Sequence, residues 1–307
     1  MKHISYAVAG TALLAGGGWL ALQYALYRNA PAVLDTIDRI SGGARGVTLV
    51  EQAQFGGDSA QKLRVYRADN ADGPQPVILF IHGGSWRSGD PDDYGFVARA
   101  LAPEGFVVVL AGYRLGEGGQ FPAMLQDAAS AAAWTAQNIS QFGGDSERMF
   151  VGGHSAGAYN VAMIALDPQW LHAAGSRPEA IAGVIGLAGP YDFYPFDSDS
   201  TKAAFGDAPD PRATQPVEFA TADAPPMLLL TGEADTTVKP RNTRALAAKV
   251  AEAGGRVDTE IYSGLDHSGI LTALASPWRR NRTVIDRIIA FAKNPPPSSD
   301  AVQPPPR

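Results

Sequence analysis

Residues 150–157 read Phe-Val-Gly-Gly-His-Ser-Ala-Gly, an apolar strand-like run that passes into a Gly-x-Ser-x-Gly pentapeptide. The apolar, alanine-rich residues 158–166 follow at once and are typical of a helix. A serine between a strand and a helix in this pattern lies on a tight turn, so the positions two before and two after it have no room for side chains. Gly153 and Gly157 satisfy that demand. We therefore predict that Ser155 projects above a sheet, at the positive end of the following helix, as a candidate nucleophile.

A serine nucleophile needs a base, and the chain offers five histidines: His3, His82, His154, His172 and His267. His3 belongs to an N-terminal apolar run, and His172 stands in a polar stretch that we expect at the surface. His82 precedes two glycines, and His154 lies inside the turn, where we expect its side chain to point away from the reacting atom. His267 lies in a loop after the strand-like residues 257–262, and it fits the order in which serine, acid and histidine follow such a turn. We therefore predict that His267 is the base.

The acid that orients the base is expected after a late apolar strand. Residues 226–231 are such a run, and the loop that follows contains Glu233 and Asp235. The acid must reach the histidine from beyond the turn, so we favour Asp235, which would hold the imidazole tautomer and stabilise the imidazolium. Glu233 is interpreted as an exposed loop carboxylate. Asp266 adjoins His267 in the chain, but neighbouring loop side chains diverge, which makes it a weaker alternative.

An acyl-transfer site also needs donors for a developing oxyanion. The continuous apolar residues 77–81 predict a buried parallel strand, and His82-Gly83-Gly84-Ser85-Trp86 follows it. The glycines free backbone N–H groups to point at a substrate oxygen, and Ala156, directly after the nucleophile, supplies a further N–H. Each donor of this kind lowers the barrier by about 2.7–4 kcal/mol.

Together these motifs resemble those of the α/β-hydrolase carboxylesterases that carry an HGGxW oxyanion motif, in the branch of feruloyl-esterase-like and kynurenine-formamidase-like enzymes. The similarity covers residues 47–293. It runs through the following matches: His82-Gly83-Gly84-Ser85-Trp86, Tyr113-Arg114-Leu115, Phe121-Pro122, Asp127, Phe142-Gly143-Gly144-Asp145, the turn at Ser155, Gly189-Pro190-Tyr191-Asp192, Pro225-Pro226, Gly232-x-x-Asp235-x-x-Val238 and His267.

The resemblance implies that the N–H groups of Gly84 and Ser85 join that of Ala156 in the oxyanion hole. Ser85 replaces the third glycine found in hormone-sensitive-lipase-like relatives, and a backbone donor survives that change. We expect the side chain of Ser85 and the indole of Trp86 to narrow the acyl pocket. Trp86 and Tyr191 are the expected substrate-binding residues, because Trp86 and the aromatic segment around Tyr191–Tyr194 would form the pocket wall.

The pattern of apolar runs predicts an α/β fold with a mostly parallel eight-stranded sheet flanked by helices. Strands alternate with helices from residue 76 onward, which favours a parallel sheet with right-handed crossovers. The first two strands lack a helix between them and should form an antiparallel edge. We expect strands at 47–54, 61–66, 76–81, 106–111, 148–152, 181–187, 226–231 and 256–262, and helices near 92–102, 122–141, 156–167, 239–253 and 272–292.

Composition excludes several function classes. The 307 residues carry a net charge of −6 without a basic run, so nucleic-acid binding lacks electrostatic support. The chain has no cysteine, hence no disulfide framework, thiolate nucleophile or cysteine-ligated metal, and the histidine spacing offers no metal site. We expect no cofactor and no metal.

The chain ends differ in character from the catalytic domain at 47–293. Residues 1–28 contain an uncharged run from Ile4 to Tyr27, long enough to span a bilayer. An uncleaved membrane anchor, an exported signal segment and a packed cap helix remain alternatives, with anchoring or export favoured. Residues 29–46 are a linker or cap helix, and the proline-rich residues 294–307 predict a disordered tail.

Several residues of the middle region have structural interpretations. Asp127 and Asp145 fit loop ties or helix caps rather than catalysts. Tyr113-Arg114 fits a brace behind residues 82–86, which we call the oxyanion loop. The aromatic residues within 188–225 would either line a substrate pocket or anchor a loop.

The motifs predict a serine hydrolase that cleaves carboxylic esters of short-to-medium acyl chain through an acyl-enzyme. An amidase, arylformamidase or peptidase on the same residues is an alternative, because the leaving group is distinguished by the pocket and not by the triad. A membrane-tethered binding scaffold is a remote alternative, since no member of the triad is missing. A lipase is disfavoured, since no long amphipathic lid is apparent.

Overall fold

The computed structural model of the chain describes residues 24–25 and 29–294. Its centre is one eight-stranded sheet with the order β1-β2-β4-β3-β5-β6-β7-β8. The strands are β1 Val47–Gln54, β2 Lys62–Ala68, β3 Gln75–Ile81, β4 Val107–Ala111, β5 Gly144–His154, β6 Ile181–Leu187, β7 Met227–Gly232 and β8 Val257–Tyr262.

The direction of the strands agrees with the sequence pattern. The strands β1 and β2 pair antiparallel at one edge, and β2 also pairs antiparallel with β4. From β4 to β8 every neighbouring pair is parallel. The mostly parallel sheet and its antiparallel edge are therefore confirmed. The carboxyl ends of β3, β5, β7 and β8 meet at the same edge of the sheet, which is where ligands bind in open α/β sheets.

Helices cover both faces of the sheet. They are α1 at residues 29–38, α2 Gly95–Leu101, α3 Ala123–Asn138, α4 Ala156–Leu166, α5 Gln169–Ala173, α6 Asp199–Phe205, α7 Arg241–Glu252, α8 Gly269–Thr272 and α9 Thr283–Lys293. The prediction of one continuous helix near 272–292 is wrong, because the structure has two helices, α8 and α9, in this region. Pro277 and a short 3₁₀ turn at Trp278–Arg280 separate α8 from α9, because proline cannot donate the backbone hydrogen bond of a helix interior.

The core lies in two layers, one on each side of the sheet. Alternation along β3 divides its side chains, with Val77, Leu79 and Ile81 in one layer and Ile78 and Phe80 in the other. The first layer is completed by α3, α4 and α7, and the second by α2, α8 and α9. Alanines of α3 that are fully buried allow this helix to pack close to its neighbours. The sheet is thus a rigid base for the loops at its carboxyl edge.

Helix α1 is joined to the domain by buried charges. The guanidinium of Arg99 on α2 donates to Asp35 and Asp38, each at 2.5 Å, and all three side chains are nearly or fully buried. The other oxygen of Asp38 accepts from the backbone N–H of Ser276 at 2.7 Å. Residues 29–46, predicted as a linker or cap helix, therefore pack on the catalytic domain at α2 and at the loop before α9.

The terminal predictions fall mostly outside the described residues. The uncharged run at 4–27 lies outside them except for residues 24 and 25, and of the tail at 294–307 only Asn294 is described. Among the helices that the structure describes, none has the length and apolar character needed to span a bilayer.

Candidate active site

The turn between β5 and α4 has the geometry expected from its glycines. Ser155 adopts a strained backbone conformation with φ 53° and ψ −120°. A Cβ atom on Gly153 would lie 2.4 Å from the backbone carbon of Gly157. A Cβ atom on Gly157 would lie 2.1 Å from the carbonyl oxygen of Ile81. Both positions therefore require glycine, and the turn lifts Ser155 off the carboxyl edge of the sheet.

Ser155, His267 and Asp235 form a hydrogen-bonded chain. Nε2 of His267 lies 2.9 Å from Oγ of Ser155, and Nδ1 of His267 lies 2.8 Å from Oδ2 of Asp235. The second carboxylate oxygen of Asp235 accepts from the backbone N–H groups of Thr237 and Val238 at 2.9 and 2.8 Å. The Asp235 side chain is fully buried, so these three partners fix its orientation and stabilise its charge.

The other acid candidates lie away from the histidine ring. Glu233 is exposed, as the sequence predicts. Asp266 is exposed too, and its side chain accepts from the backbone N–H of Gly269 at 2.7 Å. The structure thus brings Asp235 to His267 and leaves the two alternatives in solvent.

The loop after β3 runs beside the nucleophile. A Cβ atom on Gly83 would lie 3.2 Å from Cβ of Ser155, which shows how closely the backbone passes. Gly84 has φ 121°, and a Cβ atom there would lie 1.9 Å from the carbonyl oxygen of Ser88. The carbonyl of Gly84 accepts from the N–H groups of Arg87 and Ser88, which closes the loop into a compact turn.

Three backbone donors next to Ser155 remain without an intramolecular partner. Within the described residues, the N–H groups of Gly84, Ser85 and Ala156 donate to no protein acceptor. Ala156 is the first residue of α4, so its N–H also lies at the positive end of the helix. These are the donors that the sequence and the family resemblance assign to an oxyanion hole.

His82 supports the oxyanion loop from below. It is buried, its Nδ1 donates to the carbonyl of Gly83 at 2.7 Å, and its ring stacks on Tyr113 with centroids 4.7 Å apart. Burial lowers the pKa of His82 to about 4, so the ring is neutral at physiological pH. Its role is to hold the loop, separate from that of the base.

A second brace connects the oxyanion loop to the loop after β4. The buried carboxylate of Asp127 accepts from the backbone N–H of Arg114 at 2.8 Å and pairs with its guanidinium. Gly116, two residues after Arg114 in the same loop, donates its N–H to the carbonyl of Trp86 at 2.9 Å. The geometry matches the structural role predicted for Asp127 and the bracing role predicted for Arg114.

The two residues expected to bind substrate are buried in packing positions. Trp86 is 4% exposed, its Nε1 donates to Oδ1 of Asn160 at 3.2 Å, and its ring meets Tyr159 and Phe205 edge-on. Tyr191 is 0% exposed and its ring lies against Gly189, which has no side chain to displace it. Both side chains therefore pack beneath the surface in this structure, which favours a packing role over the substrate-binding role expected from the sequence.

The sequence does not predict the contacts that two supporting residues, His154 and Asn242, make in the structure. The sequence predicts only that the His154 side chain points away from the reacting atom, and the structure adds that its Nε2 donates to the backbone carbonyl of His267 at 3.0 Å. Asn242 at the start of α7 accepts from the N–H groups of Tyr191 and Asp192 through one amide oxygen. An asparagine in the first turn of an amphipathic helix is a signal for such a tie, whereas His154 offers no local signal.

A metal site is not evident in the described part of the chain. No group of three or more His, Cys, Asp or Glu side chains is arranged there to hold an ion.

Known proteins share both the sequence pattern and the fold. The chain is 30% identical to esterase LipC from Mycobacterium tuberculosis over 219 residues, which are 64% of this chain and 53% of LipC. It is 31% identical to kynurenine formamidase from Danio rerio over 153 residues, half of each protein. Esterase B from Lactobacillus rhamnosis superposes with a TM-score of 0.71 at 18% identity, covering 92% of this chain and 96% of that one.

The chain spans about half the length of these curated relatives. The structural similarity, at low identity, supports the α/β-hydrolase fold. The BD-FAE family matches residues 63–250, a region that contains Ser155, Asp235 and the oxyanion loop. The chain belongs to the BD-FAE family of α/β hydrolases.

Proposed function

We propose that this protein is a serine hydrolase that cleaves carboxylic esters through an acyl-enzyme. One observation carries the proposal: the hydrogen-bonded chain of Ser155, His267 and Asp235 lies beside three backbone N–H groups that have no partner among the residues that the structure describes. A nucleophile with its base and acid, next to preorganised donors, is the arrangement that acyl transfer requires.

The observed distances support the following first half of the proposed reaction. His267 accepts the proton of the Ser155 hydroxyl as Oγ attacks the ester carbonyl, over the 2.9 Å hydrogen bond between them. Asp235 keeps the proton-bearing Nδ1 of His267 directed inward and stabilises the imidazolium. The N–H groups of Gly84, Ser85 and Ala156 stabilise the negative oxygen of the tetrahedral intermediate.

The second half follows from the same residues. The imidazolium of His267 gives its proton to the departing alcohol, which leaves the acyl group on Ser155. His267 then takes a proton from water, which attacks the acyl carbonyl, and the collapse of the second intermediate returns the proton to Oγ. The products are a carboxylic acid and the free enzyme.

The names of relatives support ester over amide substrates. LipC is an esterase, and an isoprenylcysteine alpha-carbonyl methylesterase from Arabidopsis thaliana is 25% identical over 73% of this chain. The kynurenine formamidase similarity keeps an arylformamide as the second candidate substrate class. The complete triad argues against a non-catalytic binding scaffold.

A short-to-medium acyl chain is the favoured substrate size. The segment between β6 and β7 contains one seven-residue helix, α6, and short 3₁₀ turns among its described residues. It forms no long amphipathic helix of the kind that covers a lipase site.

The experiment that tests this function is a substrate panel. We expect p-nitrophenyl esters with acyl chains of 2–8 carbons to turn over faster than those with 12–16 carbons, and faster than a matched p-nitroanilide. An N-formyl arylamine included in the panel tests the formamidase alternative. A fluorophosphonate probe should label Ser155, with Ser155→Ala as the unlabelled control. A folded protein that is neither labelled nor active on any member would contradict the proposal.

Attachment to a membrane through the N-terminal segment is part of the proposed function. The uncharged run from Ile4 to Tyr27 is long enough to span a bilayer, and α1 begins directly after it. The full-length protein should stay in the membrane fraction through an alkaline carbonate wash. A chain that starts at Asn29 should be soluble and active, because it retains α1 and all proposed catalytic residues. Full-length protein with an intact N-terminus in the soluble fraction would contradict anchoring.

A further inference from the structure

The ring of His154 lies between the two loops that complete the site. On one side its Nε2 lies 3.0 Å from the backbone carbonyl oxygen of His267, and the two imidazole rings are tilted with centroids 4.8 Å apart. On the other side its Nδ1 faces Gly83, where a Cβ atom would come within 3.1 Å. The absence of a side chain at Gly83 therefore leaves the room that the His154 ring occupies.

The contact with His267 is the one that fixes that residue's carbonyl. Among the described residues, no other group donates to the carbonyl oxygen of His267. The preceding part of the loop is held by backbone bonds from the N–H of Ala234 to the carbonyl of Leu265 at 3.0 Å and from the N–H of Leu265 to the carbonyl of Tyr262 at 3.4 Å. His154 thus ties the end of β5 to a loop 113 residues later in the chain.

The protonation of His154 suits it to this task. A carbonyl oxygen only accepts, so Nε2 must carry the proton. The ring is 6% exposed, and burial together with the nearby His267 lowers its pKa to about 3. A neutral ring donates one hydrogen bond and adds no positive charge beside the imidazolium that forms on His267 during the reaction.

We propose that His154 is a positioning residue, which anchors the His267 backbone so that the imidazole stays in line between Asp235 and Ser155. This rests on the proposed function, in which His267 is the base. Catalytic groups must be held within about 0.5 Å of the productive geometry, and a displacement of 1 Å costs about 100-fold in rate. His154 touches neither substrate nor the reacting atoms, so it acts through His267.

The test compares two substitutions at this position. His154→Leu removes the donor, and kcat should fall about 10- to 100-fold while KM changes less than about twofold. His154→Gln keeps an amide N–H at a similar reach, and kcat should recover to within about fivefold of wild type. The fluorophosphonate labelling rate of Ser155 should fall and recover in parallel. His172→Leu, a change at an exposed histidine, is the matched control and should leave all three values unchanged.

Several outcomes would overturn the proposal. One is a His154→Leu protein that melts like wild type and keeps its kcat. Another is a folded His154→Gln protein that is as slow as His154→Leu, because the donor would then not be the feature that matters.

If the leucine variant does not fold, the wild-type protein still decides the question. Two-dimensional ¹H–¹⁵N spectra of the imidazole groups should show His154 as the Nε2–H tautomer above pH 5, and an Nδ1–H tautomer would overturn the anchor. Failure of the wild-type protein to hydrolyse any ester or to react at Ser155 would instead overturn the proposed function, whatever the tautomer shows.

Discussion

Oδ2 of Asp235 lies 2.8 Å from Nδ1 of His267, although the two residues are 32 positions apart in the chain. Asp235 follows β7 and His267 follows β8, and these strands are parallel neighbours in the sheet. Because parallel neighbours end at the same edge, the loops after them are adjacent. The pairing of β7 with β8 therefore brings Asp235 next to His267, although the two residues are far apart in the sequence.

Loss of the triad should remove nearly all activity. Ser155→Ala should lower kcat by about 10⁴- to 10⁶-fold, because the three residues act as a unit. Asp235→Asn should cost about 10⁴-fold, since an amide favours the wrong imidazole tautomer. Initial rates on a short-chain p-nitrophenyl ester would measure both effects.

The neighbouring carboxylates are the controls for that measurement. Glu233→Gln and Asp266→Asn should change kcat by less than about threefold, because both side chains are exposed and lie off the His267 ring. If Glu233→Gln were the more damaging substitution, the acid would be assigned to the wrong residue.

Gly84 should be intolerant of any side chain. Its φ of 121° and the Ser88 carbonyl, 1.9 Å from the position of an added Cβ, require the backbone to move in Gly84→Ala. That movement displaces the N–H groups of Gly84 and Ser85, so kcat should fall by at least about 100-fold. Steady-state kinetics on folded protein would measure the loss.

The control for Gly84 is a glycine with open space around it. An added Cβ at Gly57 meets nothing within 4 Å, so Gly57→Ala should leave kcat unchanged. If Gly84→Ala were as active as Gly57→Ala, the assignment of the Gly84 and Ser85 N–H groups to the oxyanion hole would be wrong.

Much of the fold was predictable because its signals are local. The strands β1 and β6 match their predicted limits, since each is bounded by turn residues. Strand β5 was predicted at 148–152 but extends over Gly144–His154. Its polar first residues pair with β3 through an irregular register, and a search for apolar runs does not detect such pairing.

Among the site residues, too, those in local motifs were predictable and those whose contacts depend on tertiary packing were not. Ser155, Asp235 and His267 stand in short motifs with a fixed order, so sequence places them together. The contact of His154 depends on how a distant loop packs, and no pattern near residue 154 reports it. Trp86 and Tyr191 are aromatic residues next to motif positions, where exposure at a pocket and burial behind it look identical in sequence.

The buried ion pairs of α1 should contribute strongly to stability. Arg99→Leu leaves Asp35 and Asp38 buried without their main partner, which should lower the free energy of unfolding by about 3–5 kcal/mol. Urea denaturation at pH 7 would measure this. Arg212→Leu breaks an exposed pair with Glu218 and should cost less than about 1 kcal/mol. Equal effects of the two substitutions would mean that α1 does not depend on its charges.

Acid should destabilise the protein through its buried neutral histidines. Burial lowers the pKa of His82 to about 4, below the ordinary value of 6.5, so the unfolded chain binds more protons between these values. The stability from His82 is complete above pH 6.5 and decreases as pH falls toward 4. Each unit of the pKa difference corresponds to about 1.4 kcal/mol. Urea midpoints at pH 7, 6 and 5 should therefore fall steadily, and less steeply in His82→Gln. If the urea midpoint of His82→Gln fell as steeply with decreasing pH as that of wild type, His82 would be excluded as a source of the acid destabilisation.

Trp86 should matter for stability more than for acyl-chain selection. Its ring is 4% exposed, bonded to Asn160 and packed among aromatic side chains, so Trp86→Ala should lower the free energy of unfolding by about 3–5 kcal/mol. Trp86→Phe keeps the packing but loses the indole donor, and it should cost about 1–3 kcal/mol because Oδ1 of Asn160 is left without its partner. The preference among p-nitrophenyl esters of 2–12 carbons should stay the same in Trp86→Phe. A shift of the optimum toward longer chains in a folded variant would show that the indole reaches the acyl pocket after all.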